Sequence, residues 1–191
     1  MKEEAFTDVI DARSADKIWR EANEKLKSMR VHDILEANKV TVVCTTDDPA
    51  DSLDQHEKIK KLGLKTRVYP TFRPDKALLV NSPEAFNSWI EKLSGVAKTT
   101  VNSFEDFLGA LQKRHADFHA VGGRLSDHGM ECAYADPCTT AEAKGIFDGA
   151  RSGRAADAGA QAKFATYLML EFGRWDARKG WTKQFHLGAL R

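Results

Sequence analysis

The sequence has little of the features that mark membrane, secreted and nucleic-acid-binding proteins. None of its apolar runs approaches the roughly 20 residues that a helix needs to cross a bilayer. Its opening residues, MKEEAFTDVIDAR, are charged where a signal peptide would be apolar. Its 29 lysine and arginine residues nearly balance its 28 aspartate and glutamate residues, so it has no large basic field to attract nucleic acid or an acidic membrane. We therefore expect a cytoplasmic protein with no nucleic-acid partner and no membrane partner.

Cysteine is equally scarce, with three residues in 191. Cys44 lies in an apolar run, and the spacing of Cys132 and Cys138 matches no common zinc motif. We expect all three to be free thiols, as is usual in a reducing compartment. The sequence also has no glycine-rich phosphate loop, no G-x-S-x-G turn and no H-E-x-x-H motif, which argues against the enzyme classes that these motifs mark.

The remaining composition is that of an ordinary folded protein, with 42% hydrophobic and 30% charged residues. A chain of 191 residues has the usual size of one domain with its own core. We expect residues 1–191 to form a single domain.

Predicted strands and helices alternate along the chain. Residues 40–46, VTVVCTT, are β-branched and apolar enough for a strand that is buried on both faces. Three more strands are predicted at residues 65–72, at residues 124–128 and from Thr182 onward. Helices are predicted at residues 15–29, 32–39 and 53–62, from Pro83, from Ser103 to the Gly122-Gly123 pair, at residues 140–150 and around residues 164–172. The helix at residues 53–62 is polar. Because parallel strands need long crossover connections, this alternation predicts the α/β class.

Four strands do not close a parallel sheet, whose edges stay open unless something covers them. The last predicted strand, HLGALR, runs to the end of the sequence, so we expect the chain to be a segment of a larger fold. Its open edges and exposed apolar faces would favour self-association into a homo-oligomer or aggregation.

Polar residues follow the first two predicted strands, at the ends where parallel α/β folds bind ligands. Asp47 and Asp48 could hold sugar hydroxyls or orient a base, but Asp-Asp-Pro is equally suited to a turn and a helix start. Arg73, in FRPDK, has the planar guanidinium that captures a carboxylate through two hydrogen bonds. Its alternative role is a surface ion pair with Asp75.

The third and fourth predicted strands each carry a histidine. His128, next to Asp127, could be a general acid or base or a metal ligand, although neighbouring residues of a strand point to opposite faces. His186 shares one strand face with Gln184 and Gly188 and is a candidate ligand or acid/base. A hydrogen-bonded core histidine is the alternative for His186.

Four strings occur in order along the chain: VVCTTDDPADSLDQHEKI, YPTFRPDKAL, GRLSDHG and WTKQFHLGALR. Their order and spacing resemble the motif series of the uronate isomerases, members of the amidohydrolase superfamily, over nearly the whole chain. The resemblance implies a partial (β/α)8 barrel of the TIM type, with about four parallel strands and covering helices. It also implies isomerisation of D-glucuronate to D-fructuronate and of D-galacturonate to D-tagaturonate, so that the partner is a hexuronate substrate.

The same resemblance implies roles for the strand-end residues. It makes Arg73 the best candidate for binding the uronate carboxylate or neighbouring hydroxyls. Asp47 and Asp48 are further substrate-binding candidates at the barrel mouth. Asp127 and His128 are the catalytic candidates. His186 would project toward the metal region and is the candidate metal ligand.

The family uses a divalent metal, Zn²⁺ or Mn²⁺, whose site begins with an H-x-H motif on the first barrel strand and is completed by an aspartate on the last. The sequence has no H-x-H, and nothing follows Arg191. We therefore expect the chain by itself not to bind the metal, which leaves its activity in isolation open. The alternative function is a non-catalytic fragment or a sugar-acid-binding α/β module.

Overall fold

The computed structural model describes residues 9–188, which contain helices and strands in the alternation that the sequence predicts. The four strands are β1 (Val42–Asp47), β2 (Arg67–Phe72), β3 (Leu125–Met130) and β4 (Thr182–Leu187). The seven α-helices of the described range are α1 (Ala15–Leu26), α2 (Val31–Ala37), α3 (Asp54–Lys61), α4 (Pro83–Ala97), α5 (Phe104–Val121), α6 (Thr140–Arg151) and α7 (Ala158–Lys179). A 3₁₀ turn, Asp75–Leu78, follows β2. Arg191 and the end of the HLGALR string lie outside the described residues.

The described residues group into two compact units. The smaller unit runs to Val42 and includes Leu64–Arg67, and neither of its helices, α1 and α2, has a buried residue. Within it, the Thr66 hydroxyl donates a 2.6 Å hydrogen bond to the Val40 carbonyl. The larger unit comprises Val43–Gly63 and the described residues from Val68 onward. The single domain expected from chain length stays a prediction.

The four strands form one sheet in the order β1-β2-β3-β4. β3 runs parallel to both β2 and β4, and its register with β4 extends from Leu125 opposite Thr182 to Met130 opposite Leu187. The backbone N–H of Arg73, just after β2, donates to the Asp47 carbonyl at the end of β1. The carboxyl ends of the strands therefore meet at one edge of the sheet, as predicted for the α/β class.

The prediction that the first strand is buried on both faces is wrong. No residue of β1 is buried, and its side chains alternate between exposed and half-buried. The physical reason is its position, since β1 lies at an edge of the described sheet with β2 as its one neighbouring strand. A β-branched apolar run favours strand formation but does not reveal how many layers cover the strand.

An aromatic core packs between the sheet and the helices of the larger unit. Phe72 of β2 is fully buried and meets Phe118 of α5 and Phe172 of α7 edge to face, with ring centroids 5.4 Å and 6.1 Å away. A second aromatic group joins α4, α5 and α6, because the Phe107 ring lies 5.1 Å from the tilted ring of Phe147 and meets Phe86 edge to face at 5.8 Å. We call the side of the sheet that carries Phe72 the covered face.

Two glycines let α5 turn into β3 close to β2. Gly122 ends α5 with a φ of 115°, a conformation that residues with a side chain rarely adopt. A Cβ on Gly123 would lie 2.8 Å from the Pro70 carbonyl oxygen, so only glycine fits there without a shift of backbone. The Gly-Gly pair thus places the start of β3 against β2.

Replacing Phe72 with alanine should lower the free energy of unfolding by about 3–5 kcal/mol, because the change leaves a cavity among well-packed rings. Urea denaturation measures this value. Leu62→Ala is the control, since Leu62 is 68% exposed and its truncation should change stability by only about 0.5 kcal/mol or less. Similar losses in the two variants would contradict the central position given to Phe72.

Candidate functional site

Strand β3 divides the candidate residues between the two faces of the sheet. Ser126 and His128 lie on the covered face, where the His128 ring stacks on Phe172 of α7 at 6.0 Å. Asp127 points to the opposite face, which we call the polar face, and there it meets Arg73 and His186. Asp127 and His128 are therefore neighbours in sequence that take part in separate groups of residues.

The polar face holds a charged cluster made of Arg73, Asp75, Asp127 and His186, which we call the Arg73 cluster. Nε of Arg73 donates to the Asp75 carboxylate at 2.9 Å, and its Nη1 lies 3.3 Å from the Asp127 carboxylate. Nε2 of His186 lies 2.7 Å from Oδ1 of Asp127. These contacts join the carboxyl end of β2 to β3 and β4.

Burial differs sharply within the Arg73 cluster. The side chain of Asp127 is 4% exposed and that of Arg73 20%, whereas that of His186 is 53% exposed. Burial raises the pKa of Asp75, although hydrogen bonds from Arg73 and from the Gly129 backbone N–H act in the other direction. The cluster therefore has a buried end at Asp127 and an exposed end at His186.

Asp127 is incompletely satisfied despite its close neighbours. Its Oδ1 is buried and has no hydrogen bond of good geometry from the described residues, even though His186 lies within 2.7 Å. A weak bond from the Thr46 hydroxyl, at 3.5 Å, reaches the other oxygen. A buried acceptor without a hydrogen-bond donor destabilises the folded state.

Asp47 and Asp48 have different partners from the Arg73 cluster. The Asp47 carboxylate accepts from the Thr45 hydroxyl at 2.7 Å and from the Thr71 backbone N–H at 3.3 Å. The Asp48 carboxylate accepts from Nε1 of Trp89 at 2.7 Å and pairs with Lys76 at 3.1 Å. Their side-chain contacts hold the loop that follows β1, and their assignment as substrate-binding residues stays a prediction.

On the covered face lies a second polar group centred on Asp176 of α7, which we call the Asp176 network. Its carboxylate accepts from the Ser126 hydroxyl at 2.6 Å, contacts Nε2 of His115 at 3.0 Å and pairs with Lys183 at 3.2 Å. Nζ of Lys183 also lies 2.8 Å from Nε2 of His128. Because an ammonium group only donates, Nε2 of His128 accepts and the imidazole is neutral.

The ionisation of the Asp176 network follows from burial and pairing. Burial, together with the charge of Lys183, lowers the pKa of His128 to about 3. Burial also lowers the pKa of Lys183, against the pull of Asp176. For Asp176 burial acts to raise the pKa, but hydrogen bonds from His115 and Ser126 and the charge of Lys183 outweigh it and the pKa is lowered.

Sequence reasoning found the members of the Arg73 cluster, and it found His128 beside the Asp176 network, but it missed Asp176 itself. The ion pair between Arg73 and Asp75 was one of the two roles considered for that arginine, and it is present. Asp176 was not singled out, although it continues the apolar stripe of α7 that includes Phe172. A carboxylate on the buried side of a helix is a signal that would have identified it.

With this geometry in place, comparison with known proteins assigns the family. The family model for glucuronate isomerase matches residues 3–191. The chain belongs to the glucuronate isomerase family. The resemblance read from the four sequence strings is confirmed.

Curated relatives agree with this assignment. The chain is 76% identical over 184 residues to the uronate isomerase of Opitutus terrae, and this region is 96% of the chain and 39% of the relative. It is 50% identical to the uronate isomerase of Solibacter usitatus, with 96% and 40% covered. The chain thus spans about two fifths of the length of the relatives that it matches.

Solved structures give the same architecture. A uronate isomerase from Thermotoga maritima superposes with a TM-score of 0.90 at 31% identity, covering 97% of this chain and 41% of that one. A glucuronate isomerase from Caulobacter crescentus shares the fold, with a TM-score of 0.84 at 23% identity, covering 95% and 38%. The predicted α/β fold of four parallel strands and covering helices, part of a TIM-type barrel, is confirmed.

The described residues do not by themselves fit the metal site that the family resemblance implies. Between residues 9 and 188 there is no group of three or more His, Cys, Asp or Glu side chains placed to hold a metal ion. Asp127 and His186 are in contact, but Asp127 is already paired with Arg73. The three cysteines are free thiols. None of the α-helices between residues 9 and 188 has the length and hydropathy of a membrane span.

His128 should make stability depend on pH. Between the ordinary histidine pKa of 6.5 and the folded value of about 3, the unfolded chain binds a proton that the folded chain excludes. Stability therefore falls as pH falls through this window, by about 1 kcal/mol per pH unit from His128. In urea titrations between about pH 5 and pH 7, His128→Gln should show a flatter dependence than the parent chain. Parallel curves for the two proteins would contradict a neutral buried His128.

Proposed function

We propose that this chain supplies the substrate-facing ends of β2, β3 and β4 to a uronate isomerase that interconverts D-glucuronate with D-fructuronate and D-galacturonate with D-tagaturonate. The observation that carries the proposal is the Arg73 cluster, in a chain that belongs to the glucuronate isomerase family. Ligands of parallel α/β folds bind at these strand ends. The hexuronate substrate and a cytoplasmic location are part of the proposal.

Arg73 is the residue that we assign to substrate binding. A guanidinium has five N–H donors in a fixed planar arrangement, and the contacts to Asp75 and Asp127 engage Nε and Nη1. The two carboxylates hold the plane of the guanidinium, which reduces the entropy that substrate binding would cost. They also offset its charge, so Arg73 suits the sugar hydroxyls as well as the uronate carboxylate.

Asp127 and His186 are the pair that we assign to proton transfer between C1 and C2 of the sugar. The imidazole of His186 and the carboxylate of Asp127 lie 2.7 Å apart, and a general acid or base must in turn lie within hydrogen-bond reach of the substrate proton. His186 is half exposed and can meet a substrate, while the buried carboxylate of Asp127 lies next to its ring. His128 was the other catalytic candidate, but its stacking on Phe172 under α7 favours a structural role.

We assign the divalent metal, Zn²⁺ or Mn²⁺, to the whole enzyme rather than to the residues of this chain. A second candidate function follows from the same observation. A chain that keeps the Arg73 cluster without a set of metal-ligating side chains in its described part would bind a sugar acid without converting it. Binding and turnover therefore need separate measurements.

Arg73→Ala should weaken D-glucuronate binding by about 2 kcal/mol or more, since charge-assisted hydrogen bonds to the ligand are lost. Titration calorimetry of the 191-residue chain measures the change. Arg178→Ala, at the exposed last turn of α7, is the matched control and should bind like the parent. D-glucose in place of D-glucuronate distinguishes a carboxylate contact from a hydroxyl contact, and equal heats for Arg73→Ala and the parent would refute the binding role.

Turnover by the chain alone is expected to stay at background. The assay follows D-fructuronate formation from D-glucuronate with added Zn²⁺ or Mn²⁺, at enzyme concentrations where the calorimetric titration shows binding. The reason is that metal-assisted polarisation of the carbonyl needs ligands that the described residues do not bring together. Metal-dependent turnover well above background would show that these residues suffice and would reject the binding-only function.

A further inference from the structure

Helix α3 buries a single residue, and that residue is a histidine. His56 is 6% exposed, whereas the other residues of this polar helix are exposed or half-buried. Burying an imidazole destabilises the fold unless its nitrogen atoms find hydrogen-bond partners. The contacts of His56 therefore indicate why a polar side chain occupies the one buried position of α3.

His56 begins a series of hydrogen bonds that ends on the Asp47 carboxylate. Its Nε2 lies 2.8 Å from Oγ1 of Thr45 in β1. The Thr45 hydroxyl lies 2.7 Å from Oδ2 of Asp47 and 3.3 Å from the Tyr69 carbonyl. The direct distance from Nε2 of His56 to Oδ2 of Asp47 is longer, at 3.7 Å. Thr45 therefore links the imidazole to the carboxylate, and we call His56, Thr45 and Asp47 the His56 group.

The hydrogen-bonding capacity of these side chains fixes the protons of the His56 group. A hydroxyl has one proton, and the Asp47 carboxylate and the Tyr69 carbonyl can only accept it. Oγ1 of Thr45 then accepts from His56, so Nε2 of His56 carries a proton. Nδ1 of His56 is buried without a partner among the described residues, so a proton there would have no acceptor. The geometry thus selects the Nε2–H tautomer, in which His56 donates to Thr45.

Asp47, at the end of the His56 group, holds the backbone of β2 at two points. Its Oδ2 accepts from the Thr71 backbone N–H at 3.3 Å, and its backbone carbonyl accepts from the Arg73 N–H at 2.9 Å. Thr71 and Arg73 flank Phe72, the last residue of β2. Asp47 thereby fixes the point where β2 ends and where the Arg73 side chain begins.

The direction of its side chain separates Asp47 from the Arg73 cluster. Thr46 lies between Thr45 and Asp47, and its hydroxyl reaches Asp127 on the polar face. Because side chains alternate along a strand, Thr45 and Asp47 point to the other side, where His56 of α3 meets them. Asp47 can therefore act on Arg73 through the backbone of β2.

We propose that His56 is a positioning residue for Arg73, the side chain assigned to substrate binding. The hydrogen bond from His56 orients the Thr45 hydroxyl, the hydroxyl orients the Asp47 carboxylate, and the carboxylate holds the end of β2. An arginine whose backbone is held in advance loses less conformational entropy when a ligand binds. The inference rests on the proposed function, which gives Arg73 its role.

Substitutions in the 191-residue chain test this positioning role. His56→Leu removes the donor to Thr45, whereas His56→Gln keeps an N–H donor on a side chain that reaches the same place. Thr45→Val removes the intermediate hydroxyl and leaves α3 intact, so it tests the same path independently of the fold of His56→Leu. Ile59→Ala is the control, because Ile59 is a half-buried apolar residue of α3. Thermal unfolding shows that each variant folds.

The first measurement needs no ligand. Amide hydrogen exchange at Thr71 and Arg73, followed by NMR, should be about fivefold faster in His56→Leu and in Thr45→Val than in the parent. His56→Gln and Ile59→Ala should exchange like the parent at both amides. The double variant His56→Leu/Thr45→Val should exchange no faster than either single one, because both changes interrupt one path. Exchange in Thr45→Val at the rate of the parent overturns the proposal, and so does a His56→Gln variant that exchanges like His56→Leu.

The second measurement is the affinity for D-glucuronate, determined by titration calorimetry. His56→Leu and Thr45→Val should weaken binding about fivefold, and neither should weaken it further when residue 73 is already alanine. Affinity equal to that of the parent in both variants overturns the positioning role. If the parent itself does not bind, the proposed function fails, and amide exchange alone decides whether His56 positions Arg73.

Discussion

Strand β3 carries polar side chains on both faces of the sheet, and each of them is buried. Buried charges and hydroxyls need partners, since desolvation otherwise destabilises the fold by several kcal/mol per charge. Asp127 finds Arg73 and His186 on the polar face, while Ser126 and His128 find Asp176 and Lys183 on the covered face. The register of β3 with β4 follows from this requirement, because a slip of one residue would exchange the two sets of partners.

The same alternation separates a charged group that solvent reaches from a buried polar group. On the covered face, aromatic packing and the charge of Lys183 keep His128 neutral. On the polar face, the guanidinium of Arg73 lies between two carboxylates, with the half-exposed His186 at the solvent side. Preorganised charges of this kind are suited to binding polar ligands, because their orientation is set before the ligand arrives.

The apolar groups of the covered face have two different surroundings. Around Phe72 the rings of α5 and α7 complete a close-packed core. Beside β4, Phe185 and Leu187 have α7 on one side and open space on the other. An edge strand with exposed apolar neighbours is typical of an interaction surface.

The sequence by itself determined the order and class of the elements, because β-branched runs, amphipathic periods and capping residues act over a few neighbouring positions. It also placed Arg73, Asp127 and His186 at strand ends, and four motif strings were enough to identify the family. Only the tertiary structure decided which of these residues meet. Strand register and helix packing bring Arg73 to Asp127 and bring Asp176 of α7 to Ser126. They also give the side chains of Asp47 and Asp48 partners other than that pair. These contacts join residues far apart in the chain, and no local sequence pattern encodes them. The exposure of β1 was not predicted for a similar reason, because the number of neighbours of a strand is a property of the whole sheet.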